Sequence, residues 1–109
     1  MAYDEKLAQR VRESLSEQDG LVEKKLFGGL GFMLRGNLAC GVSGDGLIVR
    51  VGPDAYGGLI MRPHTRPFIS AGRPMKGWLV VEPAGLASDD DLNYWVSLGA
   101  SFARSLPAK

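Results

Sequence analysis

The sequence predicts an α+β fold in which N- and C-terminal helices flank an antiparallel sheet of about five strands. Apolar residues recur with a helical period near both ends of the chain, over residues 3–18 and 88–106. Between them lie short apolar runs separated by turn residues, which is typical of strands joined by hairpins. Such short connections exclude parallel neighbours, which need a long crossover. Residues 1–109 have the size of one domain.

The two terminal helices are predicted from periodicity and from an N-terminal capping signal. Ser88 precedes three aspartates and fits a capping box, with carboxylates where the helix dipole favours negative charge. Pro107 follows the end of this helix. In the first helix the apolar residues recur every four positions, at Tyr3, Leu7, Val11 and Leu15.

Four strands are predicted at residues 30–34, 38–42, 47–51 and 77–82, where apolar and β-branched residues concentrate. A Gly36-Asn37 pair marks the first turn and Asp45 with the following glycine marks the second. A short helix is expected over residues 55–61, capped by Asp54. Residues 62–76 contain three prolines and are expected to be irregular.

Two adjacent glycines, Gly28 and Gly29, follow Phe27 and precede a predicted strand. Glycine adopts positive φ and permits close backbone approach. We therefore expect the Phe27-Gly28-Gly29 segment to be needed first for its backbone conformation, and only secondarily for binding.

Catalytic and metal-binding patterns are missing from the sequence. One histidine and one cysteine cannot supply a zinc site, and the phosphate-loop and dinucleotide-binding patterns are absent. Cys40 and His64 lack an evident third residue to orient them as a nucleophile and base. Cys40 lies within a predicted strand and is interpreted as a small, buried, unreactive side chain. We therefore expect no catalytic residue, metal or cofactor.

The formal net charge of +1 conceals a basic centre between acidic ends. Residues 24–76 hold eight basic and two acidic residues, and the flanks hold five basic and ten acidic residues. This separation favours an acidic partner, or else the two parts neutralise each other in the folded domain. No signal peptide or membrane-spanning run is evident, so we expect a cytoplasmic protein.

Three Arg-Pro pairs lie within the predicted irregular stretch, and each proline stiffens the backbone that presents the preceding arginine. Stiffened arginines lose less entropy when they bind a carboxylate or phosphate. Alternatively, they cap carbonyl groups and cover apolar surface with their stems. We predict one cationic surface from residues 62–76, joined by Arg50. The candidate partner- or anion-binding residues are Lys24, Lys25, Arg50, Arg62, His64, Arg66, Arg73 and Lys76.

Several motifs, in conserved order along nearly the whole chain, resemble the amino-terminal domain of the TfoX/Sxy competence regulators. The resemblance implies an α+β fold similar to secretion-chaperone-like folds, in which homodimers are common. It also implies a part in switching on DNA-uptake genes alongside the cyclic-AMP receptor protein. Family regulators carry a second, carboxy-terminal domain, and this chain ends at Lys109, so we expect a stand-alone domain. The motifs are Lys24-Lys25-Leu26-Phe27-Gly28-Gly29, Phe32 with Gly36-Asn37, Arg50-Val51-Gly52-Pro53, Arg62-Pro63-His64 and Gly72-Arg73-Pro74-Met75-Lys76-Gly77.

Three functions follow from these features. The preferred one is a non-catalytic protein-interaction module in transcriptional regulation, bound to transcription machinery or to a regulator. The second is direct nucleic-acid binding, with Phe27, Phe68 or Trp78 stacking on bases. The third is a small enzyme acting on an anionic substrate, with His64 as its acid or base.

Overall fold

The chain forms an antiparallel sheet with helices before and after it, as described by a computed structural model for residues 3–26 and 28–108. The six strands follow the order β1-β2-β3-β4-β6-β5 across the sheet. This arrangement confirms the predicted α+β class, with one strand more than expected. The strands are β1 (Leu21–Leu26), β2 (Gly29–Leu34), β3 (Asn37–Ser43), β4 (Gly46–Arg50), β5 (Thr65–Ser70) and β6 (Arg73–Val81). The helices are α1 (Glu5–Ser14), α2 (Pro53–Leu59) and α3 (Asp89–Ser105), and a 3₁₀ turn spans Pro83–Gly85.

The four predicted strands correspond to β2, β3, β4 and β6, and two further strands form the edges of the sheet. The expectation that residues 62–76 are irregular is wrong, because β5 and the first part of β6 lie there. Pro67 lies in β5, which pairs only with β6 among the described strands. A proline is tolerated on an edge strand, since the missing N–H can belong to the unpaired side.

The hairpin between β2 and β3 turns at Arg35 and Gly36, whose φ angles are 53° and 85°. Two successive positive φ angles are the requirement of a two-residue turn that matches the twist of the strands. Asn37, which was expected in the turn, instead begins β3, and its side-chain amide donates to the carbonyl oxygen of Pro107 at 2.9 Å. The predicted hairpin is confirmed, with its turn one residue earlier.

Side-chain hydrogen bonds cap the N-termini of two of the three described helices, α1 and α3. Asp4 accepts hydrogen bonds from the first turn of α1, and the Ser88 hydroxyl oxygen accepts from the Asp91 backbone N–H at 3.1 Å. The predicted start of α3 is therefore confirmed. The prediction that Asp54 caps α2 is wrong: Gly52 occupies the N-cap and Pro53 begins the helix, since proline fixes a helical φ and its missing N–H needs no partner there.

The main core lies between one face of the sheet and the helices, and a smaller cluster lies on the opposite face. Side chains alternate between the two faces along each strand. The small cluster contains Ile48, Phe68 and Val80, with Met75 and Trp78 packed against it. All three helices contribute their packed residues to the main core, so no described helix covers the small cluster. Fully buried members of the main core include Val11, Leu15, Phe32, Val49, Leu79 and Val96.

The adjacent glycines before β2 have separate backbone roles, as the sequence predicts. Gly28 has a φ of 73°, which an L-residue with a side chain rarely adopts. A Cβ added to Gly29 would overlap the carbonyl oxygen of Val42 on the neighbouring strand. Phe27 lies outside the described residues. The predicted backbone role is therefore confirmed for both glycines.

The lone cysteine lies inside the main core. Cys40 on β3 has no exposed surface, and its burial raises the thiol pKa to about 12. A buried thiol of this kind remains protonated at neutral pH. The predicted burial of Cys40 is confirmed.

Candidate binding surfaces

The eight candidate binding residues lie in separate parts of the fold, and those of residues 62–76 that line cavities are divided between different ones. Lys24 and Lys25 lie on β1, at one edge of the sheet, and the other six lie on β4, β5, β6 or the segment before β5. Strands β2 and β3 separate β1 from all of these. The position of a strand within a sheet is not visible in a local sequence pattern, so this division was not predictable.

Of the candidate residues, Arg66 lines a cavity of about 210 Å³ on the sheet face that carries the small apolar cluster. Ile48, Val80 and Arg66 lie opposite one another on β4, β6 and β5, so their side chains share this face. Ile69 is 59% exposed at its rim. We call this cavity the hairpin cleft. It is lined by Ser43, Ile48, Arg66, Phe68, Ile69 and Val80.

The charges near the hairpin cleft are weakly neutralised. Arg66 Nε lies 3.7 Å from a carboxylate oxygen of Glu82, and both side chains are about half exposed. An exposed pair of this kind contributes little to stability and rearranges readily. Arg73 and Lys76 are also exposed and form no ion pair within residues 3–26 and 28–108. The cleft therefore combines an apolar floor with the cation of Arg66, and Arg73 lies opposite Ser70 further along the same hairpin.

Arg50 already has a packing role. Its guanidinium Cζ lies 5.4 Å from the ring centroid of Trp78 and 5.3 Å from that of Phe102. These cation–π contacts connect β4, β6 and α3. The geometry matches the alternative interpretation of the basic residues, in which their side chains cover apolar surface.

The described aromatic residues considered for base stacking pack against each other. Phe68 and Trp78 have ring centroids 5.8 Å apart and an interplanar angle of 26°. Phe68 is only 8% exposed. Base stacking requires an accessible ring face, so the burial of Phe68 does not favour that use.

Arg62 and His64 meet in a second cavity, of about 280 Å³, beside the first turns of α3. The Arg62 Cζ lies 4.7 Å from the ring centroid of Tyr94 and 5.7 Å from that of Trp95. We call this space the Arg62 cavity. Sequence reasoning selected its arginine and histidine but missed Asp91 and Trp95, which are distant in sequence. Its lining residues are Arg62, Pro63, His64, Ala84, Gly85, Asp91 and Trp95.

A larger open groove, of about 570 Å³, lies between α1 and α3 and was also missed. Its walls are mainly polar. Across it the Ser14 hydroxyl donates to the Asn93 side-chain oxygen at 2.6 Å, and Arg10 lies 3.4 Å from Asp89. These contacts join the two helices, so the groove is a consequence of how the helices pack.

The described residues contain no arrangement suited to metal binding or cysteine nucleophilic catalysis. Within residues 3–26 and 28–108, no group of three or more His, Cys, Asp or Glu side chains is placed to hold a metal ion. A nucleophilic cysteine needs a lowered pKa, and that of Cys40 is raised. In this described part of the chain, no helix is long and apolar enough to cross a membrane.

The fold therefore defines a small α+β module with one helix-covered sheet face and one open face bearing a cleft. The family model of the TfoX N-terminal domain matches residues 13–103. The chain belongs to the TfoX N-terminal domain family, as its motifs predict. No curated protein and no solved structure matches the chain.

Proposed function

We propose that the protein is a non-catalytic regulatory module that binds an acidic segment of a protein partner in the hairpin cleft. The observation that supports this most directly is the combination of an apolar floor, formed by Ile48 and Val80, with the cation of Arg66 at the rim. Membership of the TfoX N-terminal domain family is consistent with a regulatory role. We place that role in transcriptional control, and therefore in the cytoplasm.

The cleft favours a partner segment that carries both an apolar side chain and carboxylates. An apolar side chain entering the cleft would cover Ile48, Phe68 and the exposed Ile69, which removes apolar surface from water. Carboxylates beside it would meet Arg66, which lines the cleft, and Arg73, which lies opposite Ser70 at the tip of the same hairpin. Charge at an interface rim mainly accelerates association, whereas the buried apolar contact mainly slows dissociation.

The proposal is tested by affinity capture with charge-reversed proteins. The test variant is Arg66→Glu with Arg73→Glu, and the matched control is Arg10→Glu with Arg104→Glu on the helices. Arg10 and Arg104 are partly or largely exposed and make weak surface contacts to Asp89 and Gln18. Circular dichroism first establishes that both variants fold.

We expect a protein captured by the wild type and the control to be lost with the test variant, in nuclease-treated lysate. Binding should also weaken as salt increases, because salt screens exposed charges. If the folded test variant retains the partner, the hairpin cleft is not the docking site. If nuclease abolishes all capture, the partner is a nucleic acid and the proposal is wrong.

A further inference from the structure

The Arg62 cavity contains a cation and a carboxylate that face one space without pairing. Arg62 and Asp91 both line it, yet neither takes part in an ion pair within residues 3–26 and 28–108. The gap between them has room for a ligand that contacts both.

Arg62 is oriented by aromatic rings. Its guanidinium lies over Tyr94 and near Trp95, with Cζ 4.7 and 5.7 Å from the two ring centroids. The five N–H donors of the guanidinium lie along its edge, where they suit an acceptor. A carboxylate accepts two parallel hydrogen bonds from such an edge, so a planar anion suits this geometry.

The turn that presents His64 is held by backbone contacts on both sides. Its carbonyl oxygen accepts from the Glu82 backbone N–H at 2.8 Å. The neighbouring Thr65 hydroxyl lies 2.7 Å from the carbonyl oxygen of Arg62 and 3.0 Å from that of Ile60. His64 itself has a φ of 66°. Such a conformation costs a histidine about 1 kcal/mol or more and persists where the surroundings fix it.

The opposite wall approaches His64 closely because it contains glycine. A Cβ at Gly85 would lie 3.1 Å from the His64 Cβ and 2.8 Å from a Val81 methyl carbon. The 3₁₀ turn can therefore close against the His64 turn. The cavity of about 280 Å³ lies just below the usual size range of small-molecule sites, so a compact ligand suits it.

We propose that the Arg62 cavity binds a small carboxylate that also carries a hydroxyl or amino donor, as hydroxy acids and amino acids do. The Arg62 guanidinium receives the ligand carboxylate through two hydrogen bonds. Asp91 accepts from the ligand donor, and Trp95 forms the apolar wall. A phosphate dianion suits the cavity less well, because Asp91 would repel its second charge. This site is separate from the hairpin cleft and does not depend on the proposed partner.

The experiment compares glycolate with propionate, which are similar in size but differ in the donor hydroxyl. Each is titrated into ¹⁵N-labelled protein while the backbone amides and the two indole N–H resonances are followed. We expect glycolate to shift Trp95, Arg62 and His64 saturably near millimolar concentration, as suits so small a ligand, and to leave Trp78 unchanged. Propionate should bind about tenfold more weakly, since it lacks the hydroxyl that donates to Asp91.

Two variants and a control test the assignment of roles. Arg62→Gln should weaken glycolate binding by about tenfold or more, and Asp91→Ala should reduce glycolate to the level of propionate. Arg66→Gln, at the hairpin cleft, should leave glycolate binding unchanged. The amide spectrum of each variant shows whether it is folded.

The proposal fails if glycolate gives no saturable shift, or if Arg62→Gln binds it as well as the wild type. Tighter binding of inorganic phosphate than of glycolate would also overturn it. Retention of the partner by the folded Arg66→Glu and Arg73→Glu variant, with normal glycolate binding, would count against the hairpin cleft alone, so the two proposals fail separately.

Discussion

Arg12 on α1 and Glu23 on β1 form a two-point ion pair, with Nε to Oε2 at 2.5 Å and Nη2 to Oε1 at 2.7 Å. The pair connects the first helix to an edge of the sheet. Its hydrogen bonds hold the pKa of the Glu23 carboxyl below the ordinary value of 4.5, and those same bonds raise the pKa of Arg12. Both side chains are partly exposed, so the pair contributes about 0.5–1 kcal/mol.

The ion pair predicts a specific loss of stability in acid. The folded-state pKa of Glu23 is lowered, so its carboxylate stabilises the folded state. This stabilisation is fully present above about pH 4.5 and is lost as the pH falls through the folded-state pKa. Glu23→Gln should therefore lower the free energy of urea unfolding by about 0.5–1 kcal/mol at pH 7 and by less at pH 3. Glu17→Gln, on the exposed surface after α1, should leave this pH dependence unchanged. An equal loss at both pH values in Glu23→Gln would contradict the role of the pair.

The two glycines before β2 should respond differently to alanine. Gly28 has positive φ but open space where a Cβ would be added, so Gly28→Ala should cost about 1–2 kcal/mol. At Gly29 the same methyl group would overlap the backbone of Val42, so strands β2 and β3 would have to separate. We expect Gly29→Ala to cost about 3 kcal/mol or more, or to prevent folding. Thermal melts of the two variants make the comparison, and equal costs would refute the distinction.

Cys40 should be protected from thiol reagents by both burial and protonation. With a pKa of about 12, the fraction present as thiolate at pH 7 is negligible. Modification by an aromatic disulfide reagent should therefore follow unfolding, and should become rapid in concentrated urea. Stoichiometric labelling of the native protein within seconds at pH 7 would show that the thiol is accessible.

Arg50 should affect stability more than partner binding. Replacing it by glutamine removes two cation–π contacts, to Trp78 and Phe102, and should cost about 1–2 kcal/mol in urea unfolding. Lys76→Gln, at an exposed position on β6, should change stability by less than about 0.5 kcal/mol. Under conditions where both variants are folded, Arg50→Gln should still capture the partner. Loss of capture without loss of stability would instead place Arg50 in the interface.

Local patterns in the sequence were sufficient for much of the fold. Ser88 with its following aspartates marks the start of α3, because capping depends on neighbouring residues only. The hairpins and the burial of Cys40 also follow from local patterns. Strand β5 does not, because whether Pro67 is compatible with a strand depends on that strand being at the edge of the sheet.

The candidate surfaces were less predictable, because they depend on which faces and edges meet. Arg62 and Arg66 are four residues apart, yet one lies over Tyr94 on α3 and the other lies opposite Val80 on the open sheet face. The left-handed turn at His64 lies between them. From the sequence, Asp91 is interpreted as part of the capping box of α3. The packing of α3 is what brings it to the Arg62 cavity.

Both edges of the sheet carry residues that disfavour further strand pairing. Lys24 and Lys25 occupy one edge strand, and Pro67 with an adjacent register shift occupies the other. Charged residues and proline on an edge discourage unpaired backbone groups from joining another chain. The lysines therefore have a use that requires no ligand, because they oppose edge-to-edge growth of the sheet into fibrils.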